Sequence, residues 1–138
     1  MNSLYFNYKD AQGIVIPQPY SRTMTPLFMG DTSECPTNFS VHVTEWEPGC
    51  RVDLHNHPSG MEAMYCMAGN GKAYIQGKAY DFSPDSMIVA APGEEHWIEN
   101  TGQETLRVLC VFSPPVRTQE LKERAFQAVK ESGSNPDK

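Results

Sequence analysis

The sequence predicts an all-β protein, a sandwich or barrel of short strands with a single helix at its C-terminal end. Three features of the 138-residue chain carry that expectation. Eleven prolines and ten glycines break it at short intervals. Between the breaks lie seven short runs, at 13–16, 39–46, 62–68, 72–76, 86–90, 95–99 and 105–112, that alternate in polarity or are rich in β-branched and aromatic residues. Helical periodicity is confined to the segment after Pro115. Many short strands separated by turn signals at this spacing read as a sandwich or barrel.

The elements follow in order. The first 30 residues hold Pro17, Pro19, Pro26 and several aromatics, and read as an arm that wraps the outside of the barrel or reaches a partner subunit, with 13–16 as a strand. In 39–46, Phe39, Val41 and Val43 share one face and Ser40, His42 and Thr44 the other. In 62–68, Glu62, Met64 and Cys66 point inward, and Tyr65 and Met67 outward. Gly69-Asn70-Gly71 is a hairpin signal, since Asn and Gly tolerate positive φ. Gln76-Gly77-Lys78 is a second hairpin, expected to bring Tyr74 near Tyr80. Tyr74 and Gln76 line the pocket on one parity, or Ala73 and Ile75 on the other. In 95–99, His96 and Ile98 share a face and Trp97 opposes them. Pro114-Pro115 ends the last strand. Thr118 then reads as a helix N-cap, Glu120 complements the dipole, and Leu121, Ala125, Ala128 and Val129 form one apolar face. Gly133 stops the helix. The division is thus 1–35, N-terminal arm and outer strands; 36–113, barrel; 114–133, helix; 134–138, frayed tail.

Composition narrows the function. Eleven basic against 17 acidic residues give a formal charge of −6, which disfavours nucleic acid and a polybasic membrane patch. The longest apolar run, 63–68, is far short of a membrane span, and the first residues show no secretory pattern, so a cytoplasmic protein is expected. Cys35, Cys50, Cys66 and Cys110 form no C-x-x-C pair and read as free thiols.

The stretch 49–69 carries the chemistry. His55 and His57 are two apart, so in an extended chain their imidazoles leave one face and can share a metal ion. Pro58 and Gly60 can reverse the chain and bring Glu62 back beside them, and Pro92-Gly93-Glu94-Glu95-His96 presents a third imidazole. Three nitrogens and one carboxylate suit divalent Fe, Mn, Ni, Zn or Cu, and not Ca. Other residues have plainer readings. His42 is a satisfied surface or barrel-wall residue, with pocket acid–base work as the sharper alternative. Arg51 and Asp53 make a rim salt bridge, or Arg51 sits at the pocket mouth to hold a substrate carboxylate. Trp46, Trp97 and the helix are core or dimer contacts, and Glu94 and Glu95 are solvated turn residues.

These spacings resemble the cupin superfamily. Its first motif, G-x5-H-x-H-x3–4-E-x6-G, is filled by Gly49, His55, His57, Glu62 and Gly69. The latter part of its second motif is met by Gly93, His96 and Asn100, although Pro92 directly precedes Gly93 and the leading Gly is replaced in the Pro84-Asp85 turn. The resemblance covers 36–113. It implies a double-stranded β-helix (jelly-roll) barrel holding one metal ion through His55, His57, Glu62 and His96. The family includes dioxygenases, decarboxylases, isomerases, lyases and binding modules, so fold alone leaves the reaction open. The segment 47–60 is also similar to small cupin hydroxynitrile lyases, but these carry Gln one residue nearer the histidine pair, where this chain has Met61 and then Glu62. The leading reading is a metal-dependent isomerase, lyase or decarboxylase acting on a small polar organic acid or sugar derivative. An Fe(II) dioxygenase and a non-catalytic ligand-binding or sensory module are the alternatives; the catalytic residues stay unassigned. A small-molecule ligand and a homodimer are the expected partners.

Overall fold

The computed structural model describes residues 4–31 and 38–133. The expectations for Cys35, for a boundary at 35/36 and for the tail 134–138 lie outside the described residues. Nine strands and one α-helix follow in order: β1 (Ile14–Ile16), β2 (Arg22–Phe28), β3 (Ser40–Trp46), β4 (Met61–Ala68), β5 (Gly71–Ile75), β6 (Lys78–Phe82), β7 (Met87–Ala90), β8 (His96–Asn100), β9 (Leu106–Ser113) and α1 (Thr118–Glu131). Six strands form one sheet, in the order β1-β2-β3-β9-β4-β7, and β6-β5-β8 form a second. All pairs are antiparallel. The architecture is the expected double-stranded β-helix.

Alternation along the central strands builds the interior. Glu62, Met64 and Cys66 of β4 are buried, as are Leu106, Val108, Cys110 and Phe112 of β9 and His96, Ile98 and Asn100 of β8. The inward side chains meet as one cluster between the sheets, including Trp46, Val52, Met64, Ala73, Phe82, Ile98 and Val108. Each large apolar side chain buried there contributes about 1.5–3 kcal/mol. A second cluster packs Leu121, Ala125 and Val129 of α1 against Ile16, Met24, Met29 and Phe112. The helix therefore lies on the barrel through the apolar face its periodicity indicates.

Four expectations need correction. The runs read from the sequence include none at 22–28, yet this part of the arm is β2, which pairs with β3 along its length through a register shift between Pro26 and Phe28. A proline at an irregular ladder position loses no regular hydrogen bond. Gly69-Asn70-Gly71 is not a hairpin, because β4 and β5 belong to different sheets. It is a corner pressed against the chain: a Cβ on Gly71 would lie 2.3 Å from the Glu99 carbonyl oxygen. Gln76-Gly77 is a true hairpin with positive φ at both residues, but Tyr74 lies opposite Ala79 and Tyr80 opposite Ala73, so the tyrosines leave opposite faces. Tyr74 instead stacks on Trp97 at 4.0 Å.

The fourth correction concerns the start of α1. Thr118 is the first helical residue, not the cap, and Arg117 at the cap position makes no side-chain hydrogen bond there. Asp31 supplies the missing acceptor. Its Oδ1 accepts from the Thr118 N–H at 3.0 Å and from the Thr118 hydroxyl at 3.1 Å. These bonds, led by the Thr118 backbone N–H, hold the Asp31 carboxyl below its ordinary range. At the other end Gly133, at φ +77°, takes the left-handed conformation that terminates the helix.

Asp31→Ala is expected to lower stability by about 1 kcal/mol, a fall in Tm of roughly 3–5 °C. Because the Asp31 carboxyl is depressed in the folded state, its contribution is present above the ordinary carboxylate range and is lost as pH falls through its folded value. Thermal melts at pH 7 and pH 2.5 check this: the gap between wild type and variant closes at the lower pH.

Candidate metal centre

Backbone pairing sets the first two imidazoles side by side. The segment 49–57 runs antiparallel to β8 without becoming a regular strand: Asn100 N–H donates to the Cys50 carbonyl (2.9 Å), Val52 N–H to that of Ile98 (3.0 Å), and His55 and His96 exchange both backbone bonds (3.1 and 2.8 Å). Asn100, the last residue of the second motif, locks this arrangement. Its amide donates to the Trp46 and Glu104 carbonyls and its oxygen accepts from Gly102 N–H. Two residues on, the His57 carbonyl accepts from Gly93 N–H at 3.0 Å. Glu62 arrives from the opposite sheet, on β4.

The four side chains expected to act together converge. One donor atom from each of His55, His57, Glu62 and His96 lies within 4.8 Å of the others. Ring centroids are 4.3 Å apart for His55–His96, 5.0 Å for His55–His57 and 5.2 Å for His57–His96. Glu62 Oε1 stands 3.1 Å from His96 Nε2 and 3.5 Å from His57 Nε2. Glu62 is 6% exposed and His96 1%.

The outer nitrogens reveal how the rings are held. His55 Nδ1 contacts the Asp53 carbonyl at 2.7 Å and His96 Nδ1 that of Glu94 at 2.9 Å. A carbonyl only accepts, so both Nδ1 atoms carry hydrogen and both Nε2 lone pairs face the cluster. His96 Nε2 then confronts a carboxylate oxygen at hydrogen-bond distance, acceptor against acceptor. That contact is stable only with a proton or a cation between them. Burial disfavours the charged ring of His96, but Glu62 outweighs it and raises the pKa. Burial would likewise raise the Glu62 carboxyl, yet the His57 and His96 rings hold it well below the usual carboxylate range. Burial, followed by the neighbouring His96, pushes His55 down. Three inward imidazole nitrogens and a carboxylate stripped of water are a donor set that fits a divalent transition metal.

His57 differs from its neighbours. Its Nδ1 lies 3.2 Å from Arg124 Nη1, on α1. Guanidinium only donates, so this Nδ1 accepts and the Nε2 of a neutral ring carries the hydrogen. Nε2 is buried, 3.5 Å from Glu62 Oε1, with no hydrogen-bond partner among the described residues. Use of Nε2 by a metal would require the other tautomer, with the hydrogen on Nδ1 and the Arg124 contact given up.

A cavity of about 300 Å³ opens from the cluster. Its walls are largely apolar, with Met24, Val52, Met64, Ile98 and Phe112 from the barrel and Leu121 and Ala125 from α1. Several expectations shift here. Trp46 and the inner face of α1 are core, as expected, and also line the cavity. Trp97 does not; it stacks on Tyr74. Arg51 neither forms a salt bridge among the described residues nor reaches the cavity. Its guanidinium lies 5.5 Å from both the Tyr20 and Trp97 ring centroids. Asp53 does line the cavity, whereas Tyr74, Gln76, Ala73 and Ile75 do not. Glu94 is not merely solvated, since its carboxylate accepts from Ala91 N–H. Cys50, Cys66 and Cys110 are free thiols.

His42 is on the barrel wall, but inside it and unsatisfied. It is 3% exposed, lines the cavity, stacks on Phe112 and leaves Nδ1 without a hydrogen-bond partner among the described residues. His42, Glu62 and Cys110 also lie close together, but burial pushes the Cys110 thiol up, so no thiolate is on offer. The reading of the sequence missed Arg22 and Arg124, which also line the cavity. Arg22 shares the face of inward Met24 on β2, and Arg124 falls one helical turn from Leu121, so both signals were present once those elements were placed.

Comparisons with known proteins bear on the family and the fold. A family model described as Cupin domain matches residues 42–112, just over half of the chain. The L-ectoine synthase of Bordetella avium is 39% identical over 85 residues, which cover 60% of this chain and 63% of that protein. The L-ectoine synthase of Alkalilimnicola ehrlichii is 38% identical over 82 residues, 56% and 59% of the two chains. The chain thus matches less than two thirds of these relatives' length. Among solved structures, a predicted oxalate decarboxylase from Thermotoga maritima superimposes with a TM-score of 0.71 at 22% identity, over 80% of this chain and 99% of that one. Ectoine synthase from P. lautus gives 0.65 at 23%, over 79% and 75%. At such identities the structural likeness shows the fold alone.

Burial pushes the His42 pKa down to about 4 from an ordinary 6.5. The folded ring therefore binds a proton less readily than the unfolded one, and stability is lost as pH falls from 6.5 towards 4. His42→Leu is expected to lose about 2 kcal/mol less than wild type between pH 6.5 and 4.5. Urea denaturation of the metal-free proteins at the two pH values measures the difference.

Proposed function

The chain belongs to the cupin family, and on that premise we propose that it is a metal-dependent enzyme of isomerase, lyase or decarboxylase type whose substrate is a small polar organic acid or sugar derivative. The observation that carries this reading is the convergence of His55, His57 and His96 on Glu62, with His96 Nε2 and Glu62 Oε1 buried 3.1 Å apart beside a cavity. His55, His57, Glu62 and His96 would hold the ion. When bound, the metal would supply Lewis-acid stabilisation of an oxyanion or enolate developing on the substrate. The resemblance of the curated relatives, each named a synthase of ectoine, supports bond-making chemistry on a small metabolite without fixing the substrate.

The chain's own residues have definable tasks in this scheme. The backbone carbonyls of Asp53 and Glu94 orient His55 and His96 through Nδ1–H, so neither ring needs to reorganise when its Nε2 is used. Met64, Ile98, Phe112 and Leu121 keep the reacting end of a substrate away from water. His42, neutral at physiological pH, offers a proton-accepting nitrogen inside the cavity. Exposed Met61, Met87 and Val89 leave an apolar strip on the outer face of β4 and β7, and we assign it to a homodimer contact. Light scattering after size exclusion checks the assembly: a dimer mass is expected at micromolar concentration, and a monomer mass contradicts the assignment.

Elemental mass spectrometry of untagged protein tests the reading as a whole. Near-stoichiometric divalent metal is expected in wild type and less than a tenth of it in His57→Ala, with the fold retained by circular dichroism. Metal affinity is expected to weaken below about pH 6, because imidazole must be neutral to bind. Equal metal in wild type and variant, or full retention after dialysis against chelator at pH 5, would falsify the ligand assignment.

A further inference from the structure

Arg22 forms no ion pair among the described residues. It begins β2, and its side chain lines the same cavity as the His55–His57–Glu62–His96 cluster. Nη1 donates to the Tyr20 carbonyl at 2.9 Å, and among the described residues no carboxylate comes within ion-pair distance. The other charged side chains of the cavity have partners, Glu131 accepting from the Gln127 amide. Arg124 is paired with Glu120 at 3.0 Å and leans on His57, Glu62 is held by imidazoles, and Asp53 lies 3.9 Å from His55 Nδ1. Burial disfavours the charged form of Arg22, and the more distant Asp53 offsets only part of that. An arginine nevertheless stays protonated in a protein, so the charge persists with most of its donors unused. A desolvated, unpaired charge is costly, and a bound anion would remove that cost.

We propose that Arg22 is the receptor for the carboxylate of a small organic acid, whose other end faces the histidine–glutamate cluster. This inference rests on the proposed function and narrows its substrate class to carboxylates. The guanidinium fork matches two carboxylate oxygens bidentately. A phosphate dianion fits less well, because Asp53, Glu62 and Glu131 also line the cavity and would repel the second charge. Met24, Val52 and Leu121 exclude water from the surroundings of the pair and strengthen it. A volume of about 300 Å³ is at the lower limit of ligand pockets and confines the ligand to a short chain.

The test is calorimetric titration of the full chain, both metal-free and reconstituted with Ni(II). The probes are lactate, pyruvate, malate and 2-oxoglutarate, each with its amide, and inorganic phosphate. At least one acid is expected to bind wild type ten-fold or more tightly than its amide. Arg22→Met should abolish that preference while leaving amide binding and metal content unchanged. Arg22→Lys, which keeps the charge but loses the fork, should weaken acid binding at least three-fold, and it serves as the readout if Arg22→Met does not fold. Wild-type affinity for the acid in either variant overturns the inference, as does tighter binding of phosphate or the lack of any acid-over-amide preference in wild type. A wild type that binds metal but shows no acid preference removes the role of Arg22 alone. Acid preference intact in a wild type that takes up no metal removes the metal-enzyme reading and leaves Arg22 in place.

Discussion

A carboxylate buried between two sheets has to be compensated, and the arrangement around Glu62 follows from that requirement. Glu62 faces inward from β4 in the larger sheet, and its compensation comes from rings mounted on the opposite side. For the rings to arrive, the irregular segment 49–57 must run along β8, which the exchanged His55–His96 backbone bonds and the Asn100 amide enforce. The site is therefore not an addition to a finished barrel. Its charge balance is one of the forces that register the two sheets against each other. Removing Glu62 would leave converging imidazoles, and removing a ring would leave a buried anion; both cost more than the contact itself.

The contrast between His57 and the other two rings has a physical origin. His55 and His96 are oriented by backbone carbonyls, which are fixed by the fold. His57 is oriented by a side chain from α1, Arg124, itself paired with Glu120. Two members of the cluster are thus preorganised and one is adjustable. The adjustable one is also edge-on to the Phe112 ring, 4.8 Å away, so its movement is limited by packing and its proton placement by the helix.

Much of this was legible in the sequence, for identifiable reasons. The strand alternation of 62–68 and 95–99 gave the inward parity of Glu62, Met64, His96 and Ile98, because period two is a property of local backbone. The convergence of His55, His57, Glu62 and His96 followed from motif spacing, although His55 and His57 sit on an irregular segment and not on a strand. What could not be read depended on distant partners. Asp31 caps a helix 87 residues away, and nothing local to Thr118 announces it. The Asn70-Gly71 turn looks like a hairpin because turn chemistry is local, whereas assignment of β4 and β5 to different sheets is global. Arg22 was hidden because the prolines that flank and interrupt β2 disguise its alternation, and Arg51 was misplaced because two aromatic faces outcompeted the rim and the pocket.

The position of α1 separates two properties that an enzyme usually has to tune together. His55, His96 and Glu62 belong to the barrel and are fixed by its ladder, while part of the cavity wall, through Leu121, Ala125 and Gln127, belongs to a helix outside it. That helix is joined to the barrel by an apolar seam, the Asp31 cap and the contact of Arg124 with His57. Substitutions at Leu121, Ala125 and Gln127 can reshape the chamber while the His55 and His96 rings and Glu62 stay where the sheets put them. Selectivity and reactivity are in this sense inherited from different layers of the fold, and divergence in the first can proceed by exchange of a single amphipathic segment.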